Sequence, residues 1–304
     1  MKNSFVFFSP SNPDSCMAAG LLYTEQNNEE NCVKTIPYTR GITPFSIPEK
    51  ADAIFIVGAD LTNEDFAELT ERNPDAMFEV SSYANATQYT SKILSPLVQK
   101  EKIKFNDCFI EGHMVSLTEL KMFEMSHKGF FDKDELDHIS NLSGILKKYI
   151  DFEMLTIDET HDFFTAARLI KKFAMSPWQF ASRFLLNKDF FVRATQEDYN
   201  DYVQDIRSMI GTNLSMACYA GANGSAFMTP TICVPERDAL QAMRFINYTY
   251  DEVISYEDTR YSRVYRILAG ETNLKWYIRR FEPTDIWTEG KLTYLKTELP
   301  RHVR

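Results

Sequence analysis

The chain has little glycine and little proline, 11 and 12 in 304 residues, and nowhere approaches the roughly 20 consecutive apolar residues that a membrane-spanning helix requires. Collagen-like, low-complexity and membrane-spanning chains are thereby excluded. Paired cysteines are missing too. Cys16, Cys32, Cys108, Cys218 and Cys233 are scattered, odd in number and without a Cys-x-x-Cys, and they read as reduced thiols rather than as a disulfide framework or a zinc site. His113, His127, His138, His161 and His302 have no metal-ligand spacing such as H-E-x-x-H and read as surface or satisfied interior residues. Basic charge is short: 33 Lys and Arg stand against 43 Asp and Glu, a net charge of −10. Extensive non-specific nucleic-acid binding is therefore not expected, since it depends on neutralising many phosphates. The N-terminal Ser4-Phe-Val-Phe-Phe8 has too few apolar residues for the core of a signal peptide and reads as a short strand, so a cytoplasmic chain is expected.

What is present is enough apolar material, 44% of 304 residues, for two ordinary cores. Residues 4–8, 31–38, 53–57 and 76–80 read as strands, with helices over 16–23 and 63–72, the latter capped by Thr62 or Asn63. The run Ala53-Ile-Phe-Ile-Val57 is too apolar for a half-exposed strand. This alternation predicts a doubly wound parallel sheet, whose ligands sit where loops leave the carboxyl ends of the strands. Those loops are Ser9–Ser15, Gly58–Thr62 and Ser81–Asn85.

From about 136 to 210 the pattern is helical, with Ile139, Leu142, Ile145, Leu146 and Tyr149 on one face. A helix over 195–210, stopped by Gly211, reads as a connector. The organisation expected is a first domain over 1–194, a connector helix over 195–211 and a smaller mixed α/β domain over 212–304. In that last part strands are expected over 216–220, 226–234, 252–256, 262–268 and 275–281, with a helix over 238–247. Residues 200–304 hold thirteen basic and thirteen acidic side chains, so the excess of acid lies earlier in the chain. Arg260, Arg263, Arg266, Lys275, Arg279 and Arg280 are interleaved there with Tyr261, Tyr265, Trp276 and Tyr277, a mixture that suits bases and phosphates and that also arises when the basic residues of strands face water.

Val6-Phe-Phe-Ser9-Pro-Ser-Asn12-Pro13-Asp14-Ser15-Cys-Met-Ala18-Ala19 is followed in order by Thr35-Ile-Pro-Tyr38, Pro44 to Pro48, Ala53 to Asp60, Phe66 to Arg72 and Met77 to Tyr83. This layout resembles the N-terminal domain of the DHH phosphoesterase superfamily, which includes nano-RNases, RecJ-type exonucleases and polyphosphate pyrophosphatases. The resemblance implies an Asp and His cluster holding two divalent cations, usually manganese, to activate water for in-line displacement at phosphorus. Asp14 matches a metal-binding aspartate. The opening histidine is replaced by Ser9 or Pro10, and a further carboxylate by Asn12. The second-motif aspartate falls on Gly58 by strict spacing or on Asp60 after a two-residue shift. Ser81-Ser82-Tyr83 occupy the D-H-H triplet, and a last aspartate falls on Asp151.

In the C-terminal part, Tyr261-Ser-Arg263-Val-Tyr-Arg266 resembles the family's S-L-R-S strand, whose arginine meets substrate phosphate. Arg266 is its equivalent by position, and Arg263 is expected on the other face of the strand. Leu268-Ala-Gly270-Glu replaces the family's G-G-G-H phosphate loop.

The resemblance thus implies a catalytically inactive DHH-like protein that binds a nucleotide-like ligand or a protein partner, with no cofactor expected and homo-oligomerisation left open. The ligand-binding candidates are Ser9, Asn12, Asp14, Asp60, Ser81, Ser82, Tyr83, Arg263 and Arg266. The alternative is a divergent phosphoesterase on small nucleotides or short oligonucleotides, holding one manganese or magnesium on Asp14, Asp60 and Asp151. Simpler roles stand beside these: Asp14 as a helix cap, Asp60 in a turn, and Ser81 to Tyr83 as a solvated loop.

Overall fold

The structure, a computed structural model, describes residues 1–40, 47–82, 91–110, 113–173, 176–186, 195–220, 226–289 and 291–299. The chain divides into two compact units, Met1–Ala194 and Thr195–Arg304.

The first unit is built on a five-stranded sheet of β1 (Lys2–Phe8), β2 (Asn31–Pro37), β3 (Ala53–Val57), β4 (Met77–Ser82) and β5 (Ile103–Asp107). Its order is β2-β1-β3-β4-β5 and every pairing is parallel, with Val6 opposite Phe55, Phe55 opposite Glu79 and Glu79 opposite Lys104. In this order the sequence of strands reverses between β1 and β3, the place where open α/β sheets form their sites. Helix α1 (Pro13–Gln26) follows β1, α2 (Asn63–Arg72) follows β3, and α3 (Ser91–Gln99) follows β4.

Thr62 caps α2 by accepting from Asp65 N at 3.0 Å, and the helix lays Phe66 and Leu69 onto Ile54, Ile56, Phe78 and Val80. Each such buried side chain contributes about 1.5–3 kcal/mol by removal from water. The other sheet face is covered by α1, which is buried continuously from Pro13 to Leu22 and so has no polar stripe at all.

After a short hairpin of β6 (Phe109–Ile110) and β7 (His113–Met114) come α4 (Leu117–His127), α5 (Lys133–Ile150), α6 (Ile157–Phe173) and α7 (Pro177–Ala181). Ile139, Ile145, Leu146 and Tyr149 of α5 are buried, and the Tyr149 ring stacks on Phe163 of α6 at 3.6 Å.

The second unit opens with α8 (Gln196–Asn213), which runs through Gly211 and ends on Leu214 as its cap. Gly211 therefore does not stop it: the loss of one side chain costs about 1 kcal/mol, which the rest of the helix absorbs. Then follow β8 (Leu214–Ala220), β9 (Ala226–Cys233), α9 (Glu236–Asn247), β10 (Val253–Asp258), β11 (Ser262–Leu268), α10 (Glu271–Phe281), β12 (Asp285–Glu289) and β13 (Leu292–Glu298). They form a six-stranded mixed sheet of order β12-β13-β11-β10-β9-β8, in which β9 and β10 run parallel and the other neighbours antiparallel.

The strand expected over 275–281 is the helix α10. Leu274, Tyr277, Ile278 and Phe281 repeat at helical spacing, Lys275 pairs with Glu271 one turn back at 2.6 Å, and Tyr277 is buried with Ile254, Ile267 and Leu295. Trp276, Tyr277 and Ile278 are residue types that favour strands, which is why the stretch reads as one in the sequence. Among the described residues no helix is long and apolar enough to cross a membrane.

Close packing of α1 against α7 rests on one small residue. A Cβ on Gly20 would lie 2.3 Å from Pro177 O and 2.7 Å from Ala181 Cβ, whereas one on Gly144 in α5 would meet nothing within 4 Å. Gly20→Ala is therefore expected to destabilise the protein by about 1–3 kcal/mol, and Gly144→Ala to stabilise it by about 0.5–1 kcal/mol, in urea denaturation. Equal effects would contradict this packing.

Candidate functional site

The carboxyl ends of β1, β3 and β4 are stitched together by short polar side chains. Asn12 caps α1, its Oδ1 accepting from Asp14 N at 3.0 Å and Ser15 N at 3.2 Å, and Pro13 fills the first helical position, where its missing N–H costs nothing. Ser15 Oγ accepts from Ser9 N at 2.8 Å and donates to Val57 O at 2.6 Å, tying the turn after β1 to the end of β3. Gly58 N then donates to Ser81 O of β4 at 2.8 Å.

Gly58 has φ of +61°, and a Cβ there would lie 2.6 Å from Leu117 Cδ1 and 3.0 Å from Ser15 Cβ. Glycine is required both by the left-handed backbone and by the lack of room. Asp60 is buried beside this turn and accepts from Ser82 Oγ at 3.3 Å, while Asn106 on β5 donates to Ser81 Oγ at 3.3 Å.

Asp14 is the centre of the arrangement. It is not the cap of its own helix, a role that belongs to Asn12. Its side chain is fully buried and reaches the start of α4, where Oδ2 accepts from Leu117 N at 2.7 Å and Oδ1 from Thr118 N at 2.9 Å. Thr118 Oγ1 donates back to Asp14 O at 3.3 Å. A helix start leaves about four amides without intrahelical partners. On α4 Asp14 takes two of them and Ser116 takes that of Glu119, whose own carboxylate closes a capping box on Ser116 N at 2.7 Å.

Burial pushes the Asp14 carboxyl up to about 6, against hydrogen bonds from Thr118 and Leu117 that favour the charge, with Glu119 adding repulsion. Cys108, which donates to Ser82 O at 3.5 Å, is pushed up to about 12 by burial and by the negative fields of Asp14 and Asp107. It is an inert thiol at neutral pH.

Ser9, Asn12, Asp14, Asp60, Ser81 and Ser82 are thus all buried at this edge of the sheet, in a hydrogen-bonded network rather than in a solvated loop. Tyr83 lies outside the described residues. Asp151 ends α5, where it accepts from Lys147 Nζ at 3.0 Å one turn back.

The metal set that the resemblance implies does not fit these residues. Both oxygens of Asp14 face backbone amides, Asp151 is paired with a lysine, and among the described residues no three His, Cys, Asp or Glu side chains gather to hold an ion. The roles of Ser15, Asn106 and Cys108, and of the Leu117 and Thr118 amides, were not anticipated. The Ser116-x-x-Glu119 capping box was the one sequence signal that could have announced α4.

In the second unit the alternation of β11 places Arg263 and Arg266 on opposite faces. Arg266 is only 1% exposed and pairs with Glu236, at the start of α9, and with Glu257 Oε2 at 3.1 Å. Burial opposes its charge, but Glu236, Tyr294 and Glu257 outweigh that and raise its pKa. Arg263 is half-buried, forms two hydrogen bonds to Asp258 at 2.5 and 2.8 Å, and lies over the Tyr256 ring at 4.2 Å.

Among solved structures, RecJ from Thermus thermophilus in complex with Mn2+ aligns over 97% of this chain and 49% of its own, at 11% identity and a TM-score of 0.50. The chain therefore spans about half the length of that RecJ. An exopolyphosphatase-related protein from Bacteroides fragilis aligns over 97% of this chain and 87% of its own at 9% identity, with a TM-score of 0.45. No protein-family model matches the chain, and no curated protein does. The likeness to RecJ shows the fold: a parallel sheet with helices, followed by a mixed sheet.

Because the folded pKa of Asp14, about 6, lies above the ordinary aspartate value of 3.8, folding takes up a proton between these values. The stability contributed by protonated Asp14 is full below about pH 4 and is lost as pH rises through about 6. A carboxyl NMR titration should place the Asp14 midpoint near 6; a midpoint at or below 4 would contradict the burial described.

Proposed function

We propose that this chain uses a DHH-like fold without phosphoester hydrolysis and serves as a binding module for a nucleotide-like ligand. The observation that carries the loss of catalysis is the commitment of the Asp14 carboxylate to the first turn of α4. A carboxylate accepting two amides in a buried site would have to surrender both, and reorganise α4, before it could ligate a cation. Ser81 and Ser82 offer neutral hydroxyls where the family resemblance calls for Asp and His.

Support for a nucleotide-like ligand comes from the second unit. Arg263 lies between Tyr256 at 4.2 Å and Tyr265 at 5.8 Å, and Tyr265 stacks on Phe281 at 4.3 Å with planes 6° apart. A planar cation beside parallel rings suits a base or a phosphate. One observation favours the alternative, a retained phosphate contact of the hydrolytic kind: the Nη1 of Arg266 is buried without a partner among the described residues.

Purified protein supplied with manganese or magnesium is expected to leave a dinucleotide and a p-nitrophenyl phosphodiester at the background rate. Turnover that Asp14→Ala abolishes would overturn the non-catalytic reading. In the same preparation a nucleoside monophosphate should bind, and Arg263→Ala should weaken it about tenfold by calorimetry. Binding unaffected by Arg263→Ala would move the ligand away from this face.

A further inference from the structure

Strand β8 is an edge of the second sheet, hydrogen-bonded among the described residues to β9 alone. Open edges template pairing with a further strand, and proteins ordinarily guard them with charge or proline. The other edges of the two large sheets are guarded in that way. β2 carries Lys34 and ends on Pro37, β5 carries Lys104 and Asp107, and β12 carries Asp285 and Glu289. β8 reads Leu214-Ser-Met-Ala-Cys-Tyr-Ala220, seven residues without charge or proline. It lies within residues 208–235, the longest stretch of this sequence without Asp, Glu, Lys or Arg, in a chain that is 25% charged.

The backbone groups that β8 turns outward follow from β9. Val234 N, just past the end of β9, donates to Tyr256 O of β10 at 3.0 Å, and by the alternation of a strand Ile232 and Pro230 turn their backbone groups to that same side. The missing N–H of Pro230 then costs nothing, because the β10 pairing starts only at Thr231. Thr231 O faces the other way and accepts from Ser215 Oγ of β8 at 3.2 Å. Met216 lies opposite Pro230 and Cys218 opposite Met228, so both stand in non-hydrogen-bonded pairs of the ladder. Their N–H and C=O groups face the open edge.

Side chains widen the same surface. Met216, Cys218 and Met228 share one face of the sheet, where the two methionines are 39% and 59% exposed and Cys218 is a free, exposed thiol. On the opposite face Tyr219 is taken up by Trp276, Tyr277 and Phe281 of α10.

A second copy of β8 answers this edge. Laid antiparallel about a two-fold axis at Ala217, Met216 meets Cys218 of the second copy and Cys218 meets its Met216, so both N–H and both C=O groups of each chain are paired. No charged side chain of β8 stands at that axis. Residues 200–304 hold thirteen basic and thirteen acidic side chains, so the acid that gives the chain its charge of −10 does not belong to the part that would meet. We infer that two copies of this chain associate by antiparallel pairing of β8 with β8, which joins their six-stranded sheets into one. The inference rests on the second unit alone and does not depend on the function proposed above.

Sedimentation velocity of the full chain at about 50 μM tests it. The expected mass is twice 35.2 kDa, falling to the single-chain value on dilution. Met216→Lys sets a charge beside the axis on a side chain that is already exposed, and should weaken association by about tenfold or more with an unchanged circular dichroism spectrum. Met77→Lys, at a 50% exposed position of β4, should leave the dimer intact. Should Met216→Lys fold poorly, hydrogen exchange of the unaltered protein decides: the Met216 and Cys218 amides are expected to slow as concentration rises from about 1 to about 50 μM. A single chain at about 50 μM, whether the edge then takes a foreign strand or none, would overturn the assignment. So would a dimer kept by folded Met216→Lys, or equal exchange of those two amides at both concentrations.

Discussion

The two hydrogen bonds from the Leu117 and Thr118 amides to the Asp14 carboxylate join segments 103 and 104 residues apart in the chain. They fix where α4 begins, and much of the first unit follows from that point. Leu117 sits over Gly58, so the start of α4 closes the turn after β3. One turn later α4 delivers Lys121 to Glu79, and through Asn106 the polar side chains continue to Ser81 at the edge of the sheet. A single buried carboxylate thus anchors a helix, and the helix organises one face of the sheet. The arrangement is costly, because burial disfavours the charge, and it is held by amides that otherwise would have no partner.

A buried charge in the second unit is likewise met by opposite charge. Arg266 is enclosed by Glu236 and Glu257, and Glu257 also accepts from Glu236 N at 2.7 Å, so one carboxylate serves a guanidinium and a helix start together. Removing one partner from such a group typically costs about 3–5 kcal/mol, more than the intact pair contributes. Asp14 and Arg266 both hold secondary-structure elements in place, Asp14 at the start of α4 and Arg266 at the start of α9.

Much of the fold was legible because buried parallel strands are written as apolar runs. Ser4 to Phe8 and Ala53 to Val57 could hardly be anything else, and the polar loops after them marked the edge where Ser9, Asn12, Asp14, Asp60, Ser81 and Ser82 are found. What each carboxylate does was not legible. The oxygens of Asp14 are spent on amides contributed by a distant helix, and spacing within residues 9–15 carries no trace of that. The environment of Arg266 is likewise set by Glu236, 30 residues earlier. Helix α10 was misread because Trp276-Tyr277-Ile278 is a run of residue types that favour strands, whereas the burial of Tyr277 among Ile254, Ile267 and Leu295 follows the helical spacing. Glu79 was visible in its strand, but that it is a charge on a central parallel strand, normally apolar throughout, emerges only once β4 is known to lie between β3 and β5.

The central claim is that Asp14 belongs to α4 and not to a metal ion. Amide NMR spectra of the protein recorded with and without two equivalents of Mn2+ test it directly, since a paramagnetic ion on Asp14 would erase nearby signals. The Leu117 and Thr118 resonances should keep their positions and intensities. Selective broadening of those two amides at stoichiometric Mn2+ would place a metal on the carboxylate and contradict it.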